Sequence, residues 1–391
     1  MAHRASRFTV LAAFTLAAAL LPAARQAAAQ GPGVTLPPDG GNQPSTVTQA
    51  IGLVRVSIDY SSPHVHTAAG DDRRGKIWGS GPGFLVQYGP TDLGFGTCAP
   101  QCPWRGGANQ NTVFTTSHDV LVQGQPLAAG TYGLHFIPDP NEWTVVFSKN
   151  HTSWGSFFYD PKEDALRVKA KPAKGDYHED LTYWFRDRKL DHATAVLSWE
   201  DVEVPFTISV ADANELYFEN ISHELRSSPG FRWQGWTTAA NFSLQNKIHL
   251  DVGLRWAEHA VDPAQGGQAN FTTLSTLADL QEANGKTAEA KTTRDKALRD
   301  PTAGPIDLHL YARQLLRDKH PQEALAVFEL NAKLHPNVWP VHLGLARGYD
   351  ALGRHKEALA ECKLALPQAP DEANRNSIKT MIKNLEEGKS L

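Results

Sequence analysis

The densest set of polar donors in the chain is the stretch Trp104-Arg105-Gly106-Gly107-Ala108-Asn109-Gln110-Asn111. Arg105 is a strong bidentate donor for a carboxylate or another oxyanion. Asn109 and Asn111 add side-chain amides, and Trp104 offers a flat apolar face for a sugar or other planar ligand. Trp104, Arg105, Asn109 and Asn111 are therefore the candidate ligand-binding residues. The competing structural reading is a loop whose Asn side chains tie down their own backbone. Just upstream, Cys98 and Cys102 are separated by four positions. In an oxidising compartment that spacing permits a small-loop disulfide, although so short a loop gains little chain entropy. Free thiols are a second reading. Zinc is a third, and it lacks a second Cys or His pair at matching spacing.

Other chemistry-bearing patterns fail on inspection. Gly70-Asp71-Asp72-Arg73-Arg74-Gly75-Lys76 has the phosphate-loop spacing up to its lysine, but Ile77 stands where a Ser or Thr must hold magnesium. His64 and His66 would share one face of a strand and could hold zinc with a third ligand, yet spacing offers none. His223-Glu224 lacks the second His of a zinc-protease helix, no Gly-x-Ser-x-Gly elbow occurs, and no carboxylate pair can be singled out as acid and base. No catalytic residue, metal site or cofactor is assigned.

The elements that must position the polar stretch are strands. Val54, Val56, Ile58 and Tyr60 alternate with Arg55, Ser57 and Asp59, the period of a half-buried strand. Further strands are expected at Val113–Thr116, Val120–Gln123, Thr131–Ile137, Trp143–Lys149, Leu166–Lys171, Leu181–Arg186, Thr194–Trp199 and Val202–Val210. Short strands separated by turn signals such as Pro138-Asp139-Pro140-Asn141 predict an antiparallel sandwich or barrel-like domain. Six of the ten tryptophans fall there: Trp78, Trp104, Trp143, Trp154, Trp184 and Trp199. Packing is the expected role of all but Trp104.

The segment Trp104–Thr112 resembles the "WRTGANENT" signature of the bacterial domain-of-unknown-function family 2911. Leu127-Ala128-Ala129-Gly130-Thr131-Tyr132-Gly133-Leu134, Trp143–Asn150, Trp154-Gly155, Leu197–Glu200 and Val204-Pro205 fit the same family, over about residues 46–210. The resemblance implies a domain and no established activity. Thr91–Pro103, which carries both nearby cysteines, looks like an insertion just before the signature.

From about Asp212 the pattern turns helical. Ala290, Ala324 and Ala358 recur every 34 residues, each after a Glu, where small side chains let two helices cross. This is the period of tetratricopeptide (TPR) repeats. Leu277-Ala278, Tyr311-Ala312 and Leu345-Ala346 keep the same phase, as do the closing Pro301, Pro336 and Pro370. Gly285 and Gly353 fall in the inter-helix turns. A degenerate hairpin around Trp236, Ala239, Ala240, Gly253, Trp256 and Ala260 precedes these units, and Asp371–Glu387 reads as a polar capping helix.

The fold class expected is a multidomain β + α chain, an antiparallel β-sandwich-like domain followed by an all-α TPR-type array of helical hairpins. Residues 1–29 read as a signal peptide: Arg4 and Arg7, an apolar run from Phe8 to Leu21, then Ala27-Ala28-Ala29 with cleavage before Gln30. Residues 30–45 read as a flexible lead-in, 46–211 as the β domain, 212–264 as a helical connector holding the degenerate hairpin, and 265–391 as three repeats with their cap. The apolar run is shorter than the ~20 residues that span a bilayer, and no later segment is apolar enough. A net charge of −4 and a pI near 6.5 give no basic face for nucleic acid. The expectation is thus a periplasmic or secreted binding protein that meets a protein or peptide partner through its TPR groove. The alternative is an envelope or extracellular hydrolase using the Trp104–Asn111 loop.

Overall fold

A computed structural model of the chain describes residues 41–391. Residues 1–29, expected to be a signal peptide, and most of the expected lead-in fall outside the described residues. The first strand, β1 (Gln43–Ile51), runs into the segment expected to be lead-in and pairs along its whole length with β2 (Val54–Ser62). Its sequence, Gln-Pro-Ser-Thr-Val-Thr-Gln-Ala-Ile, is too polar to signal a strand. It can be so because β1 is an edge, where Pro44 interrupts no central ladder.

The chain continues through β3 (Trp78–Gly79), β4 (Val86–Gln87), β5 (Thr112–Thr116), β6 (Val120–Val122), β7 (Gln125–Leu127), β8 (Gly130–Ile137), β9 (Trp143–Ser148), β10 (Asp164–Ala170), β11 (Ala173–Arg186) and β12 (His192–Ser209). Among the described residues these form two antiparallel sheets, ordered β1-β2-β5-β8-β9-β10 and β11-β12-β6-β7, besides a short parallel pair of β3 and β4. One apolar core is shared by both sheets. Phe114, Phe136 and Phe147 of the first meet Leu197, Trp199 and Phe206 of the second, with Phe147 and Phe206 ring centroids 6.2 Å apart.

The two strands expected at Thr194–Trp199 and Val202–Val210 are one continuous strand. In its first half Ala193, Ala195, Leu197 and Trp199 face the core; in its second half Val204, Phe206 and Ile208 do. The phase therefore switches from odd to even positions. A one-residue irregularity is needed for that, and Glu200, with φ +56°, supplies it. Opposite, β11 shifts register on both sides of His178, the partner of Glu200.

Helix α1 (Ala213–Glu224), capped by the Asp212 carboxylate, lays Leu216 against the β core. Then come α2 (Trp233–Asn246), α3 (Leu250–Val261), α4 (Phe271–Ala283), α5 (Thr287–Arg299), α6 (Pro305–Arg317), α7 (Pro321–Leu334), α8 (Trp339–Ala351), α9 (His355–Ala365) and α10 (Glu372–Glu386). The degenerate unit is the hairpin α2–α3, where Gly253 lets the two helices close on Ser243. Hairpins α4–α5, α6–α7 and α8–α9 are the three repeats, and α10 covers the last with Ile378, Met381 and Leu385.

The three repeat turns share one hydrogen-bond pattern. Lys286, His320 and Arg354 N–H groups donate to the carbonyls of Gln281, Leu315 and Tyr349. That closure requires a left-handed residue just past the first helix. Gly285 (φ +76°) and Gly353 (φ +73°) provide it in the outer repeats, and Lys319 (φ +66°) in the middle one. No helix among the described residues is long and apolar enough to cross a membrane.

Candidate functional site: a cationic cavity in the β domain and an open helix face in the repeats

The polar stretch singled out in the sequence is built into the β domain from both sides. Trp104 exchanges both backbone hydrogen bonds with Phe136 of β8, each 2.7 Å. Its ring stacks on Trp199 (centroids 6.4 Å, 12° between planes) and meets Trp78 edge-on at 5.4 Å. Trp143 completes this four-tryptophan cluster, 5.1 Å from Trp78. Trp104 is consequently a packing residue, part of whose surface borders a cavity; its stacking face is already taken by Trp199. Trp154 differs from the others expected to pack, since it lies on the surface, 47% exposed.

The glycines after Trp104 are required by close approach. The carbonyl of Gly106 accepts the Tyr183 hydroxyl hydrogen bond at 2.7 Å, and any Cβ at Gly106 (φ +65°) would strike that hydroxyl and the Phe136 ring. Ala108 N–H then bonds the Ser61 carbonyl of β2 at 3.1 Å. This folds the loop tightly onto the sheets and turns Arg105 and Asn109 toward a cavity of about 340 Å³. Arg73, Gln87, Pro103, Trp104 and Ser156 are among its other lining residues.

Arg105 is held in place by its surroundings. Nη1 donates to the carbonyl of Asn109, itself in the left-handed region at φ +59°. The guanidinium lies over the Phe157 ring, 5.5 Å from its centroid, and against Gly155, where a Cβ would collide with it. Burial makes the charged form costly, and no described carboxylate pairs with it. Asn111 does not join this group. Its backbone N–H bonds Ser153, and its buried side chain turns under the 150–153 loop, donating to Asn150 O at 3.3 Å and leaving Oδ1 unpartnered. The cause is β5, which begins at Thr112 and fixes the alternation one residue earlier.

Beneath the cavity His135 Nδ1 and Ser156 Oγ are hydrogen-bonded at 2.9 Å. Burial, then the Arg105 charge, pushes His135 down to about 4, so the imidazole is neutral at pH 7. Sequence reasoning missed Arg73, His135 and Ser156, which come from three separate segments with no shared spacing. Arg73 belongs to the stretch with phosphate-loop spacing; here it lies in a loop that returns to Val65.

The segment Thr91–Pro103, expected to be an insertion, forms one wall. Thr91, Leu93 and Pro103 border the cavity, and Cys98 and Cys102 are joined as a disulfide packed on Val146 and Tyr159, outside the main core. Its tip is tied down by a hydrogen bond from Thr97 N–H to Phe157 O and by Phe95 stacked on Phe157 at 4.5 Å. His64 and His66 lie on the same domain, paired with the carboxylates of Asp180 and of Glu179 and Asp72. No cluster of three metal-ligating side chains occurs among the described residues.

In the array, Ala290, Ala324 and Ala358 are buried at the helix crossings. The opposite face of α6 is open. Ile306, Leu310, Arg313 and Arg317, at i, i+4, i+7 and i+11, form one exposed stripe, with Ile306 48% and Leu310 54% exposed. Neither arginine forms an ion pair with a described carboxylate, and Arg347 of α8, close enough to interact electrostatically with Arg313, is also unpaired with Nη1 buried and unpartnered.

Residues 42–208 match the family model described as a protein of unknown function (DUF2911), and residues 315–382 match the tetratricopeptide repeat model. No curated protein matches the chain. Among solved structures, the C-terminal part of a TPR repeat-containing protein from Cytophaga hutchinsonii is 13% identical, with 46% of this chain and 67% of that chain covered and a TM-score of 0.33. A tetratricopeptide repeat protein from Parabacteroides merdae is 16% identical over 44% of this chain and 68% of that one (TM-score 0.30). A thermophilic TPR protein of Thermus thermophilus is 16% identical over 44% and 91% (TM-score 0.28). The chain carries a domain of the DUF2911 family and continues from it into a tetratricopeptide repeat array.

Proposed function

We propose that this protein is an exported interaction protein whose repeat array holds an extended peptide segment bearing both apolar and acidic side chains. The observation that carries this reading is the α6 stripe. Two large aliphatic side chains are left in solvent beside arginines with no carboxylate partner. Exposed apolar groups in a contiguous row gain from being covered. Arg313 supplies a bidentate donor for Asp or Glu, and Arg317, whose Nε and Nη2 now donate to the neutral Gln314 side chain, supplies a second that a carboxylate can take over. Helical hairpin arrays present such faces to partners. Export rests on residues 1–29, and N-terminal sequencing of the protein recovered outside the cytoplasm should begin at Gln30.

The partner reading is tested with the full chain by fluorescence anisotropy against peptides that combine Leu or Ile with Asp or Glu. Arg313→Glu with Arg317→Glu, both on the surface, should weaken the best peptide at least tenfold and leave Tm within a degree or two. Unchanged affinity, or equal binding of the peptide with Asn and Gln replacing its acids, would remove the basis of the proposal.

A hydrolase has one observation in its favour, the Ser156–His135 hydrogen bond at the cavity wall. Three facts weigh against it. Both residues are about 1% exposed, the depressed imidazole is a weak base at neutral pH, and no described Asp or Glu lines the cavity to orient it. A fluorophosphonate probe should leave Ser156 unlabelled; labelling lost in Ser156→Ala would favour the enzyme.

A further inference from the structure

We propose that the β-domain cavity is a binding site for a small organic oxyanion, a carboxylate or a phosphate or sulfate ester on a compact apolar body. This inference is independent of the helical array. Its first support is charge. Arg73 and Arg105 both line the cavity, and none of its described lining residues is an Asp or Glu. Neither arginine makes an ion pair with any described residue. A desolvated cation without a counter-charge is unfavourable on its own, so the arrangement is complete only when an anion is supplied.

The second support is geometry. Arg105 spends only Nη1 within the protein, on the Asn109 carbonyl; Nε and Nη2 donate to no described acceptor. The guanidinium is fixed between the Gly155 backbone and the Phe157 ring. Fixing the fork before binding reduces the ordering cost of capturing a planar, two-oxygen acceptor. Arg73 is less committed, its one side-chain hydrogen bond reaching the His64 carbonyl at 3.4 Å.

The third support is shape and lining. A cavity of about 340 Å³ lies in the range of small-molecule sites. Leu85, Leu93 and Trp104 give its apolar portion, and Asn109 and Gln87 its neutral polar one. Leu93 comes from the same loop that carries the Cys98–Cys102 disulfide.

The test uses the full chain and titrates intrinsic tryptophan fluorescence, since Trp104 and Trp199 border the cavity. The probes are benzoate, phenyl phosphate, phenyl sulfate and inorganic phosphate, with benzyl alcohol as the uncharged control. At least one aromatic anion should bind saturably and at least tenfold more tightly than benzyl alcohol. Benzoate against the two esters tells carboxylate from phosphate or sulfate, and inorganic phosphate reports whether the apolar body is needed. Arg105→Gln should reduce affinity at least tenfold, and Arg105→Lys should not restore it. Arg73→Gln, which gives up only one long hydrogen bond to the His64 carbonyl, should weaken binding without loss of fold and keeps the test decisive if the Arg105 variant is unstable. The proposal is overturned if no anion binds, if benzyl alcohol binds as well, or if Arg73→Gln leaves anion affinity unchanged.

Discussion

Gly155 shows how closely the β domain is fitted around one charge. With φ at +58° it occupies backbone space that other residues enter at a cost, and its missing Cβ is where the Arg105 guanidinium lies. Gly155→Ala should therefore cost about 1–3 kcal/mol from backbone strain and displacement of Arg105, read as a lower Tm. His135 gives a second prediction at this scale. Burial, with the Arg105 charge, lowers its proton affinity from 6.5 to about 4 in the folded state. Between those values the unfolded chain binds the extra proton and the native one does not. Stability from this group is whole above about pH 6.5 and falls as pH drops toward 4, by roughly 3 kcal/mol at the lower end. Urea denaturation at pH 7 and pH 4.5 should show the loss, and His135→Gln should show a smaller difference between the two pH values than the parent. His309, buried against Phe328 in the array, is also lowered to about 4 and adds a loss in the same direction.

Elements were legible where their signal was local. The alternation at Val54–Tyr60 and the apolar runs at 131–137 and 143–149 became β2, β8 and β9 nearly as read, because half-buried strands write their faces into the sequence. The polar edge strand β1 wrote almost nothing. In the array the middle turn stands out, since Lys319 takes a conformation its neighbours give to glycine. Lys319→Gly should stabilise the array by roughly 1 kcal/mol, the usual cost of a left-handed non-glycine residue. Thermal melts of the full chain would register it, and no gain would mean that the Lys side chain contributes contacts of equal worth. Ala324, fully buried in α7, makes the opposite case. Ala324→Leu should overpack the crossing with α6 and cost about 1–3 kcal/mol.

At the scale of the molecule, the β core and the helical clusters are separate sets of residues. The β core draws on residues up to Ile208, with Val210 and Leu216 at its margin, while the next cluster starts with Phe218 on the other face of α1. A fragment of residues 41–211 should thus fold alone and keep the near-ultraviolet circular dichroism of the tryptophan cluster and a cooperative urea transition. Loss of both would show that α1 is an integral part of the β fold. The separation also keeps the two candidate sites apart: the cavity lies wholly on the β domain and the open stripe on α6.

The sequence by itself determined the order of the domains and the 34-residue register of the repeats, and it singled out the loop at Trp104 as a candidate, because each of these is carried by neighbouring residues. It also placed Arg105 and Asn109 in the candidate site. Only the tertiary structure decided that Trp104 is packed, that Asn111 turns away, and that Arg73 and Ser156 arrive at the same cavity. Those outcomes depend on which strand lies beside which, as where Trp199 of β12 meets Trp104 from a loop that pairs with β8. Pairings between segments a hundred residues apart leave no local period to read, which is why the charge that defines the cavity appears only once the chain has folded.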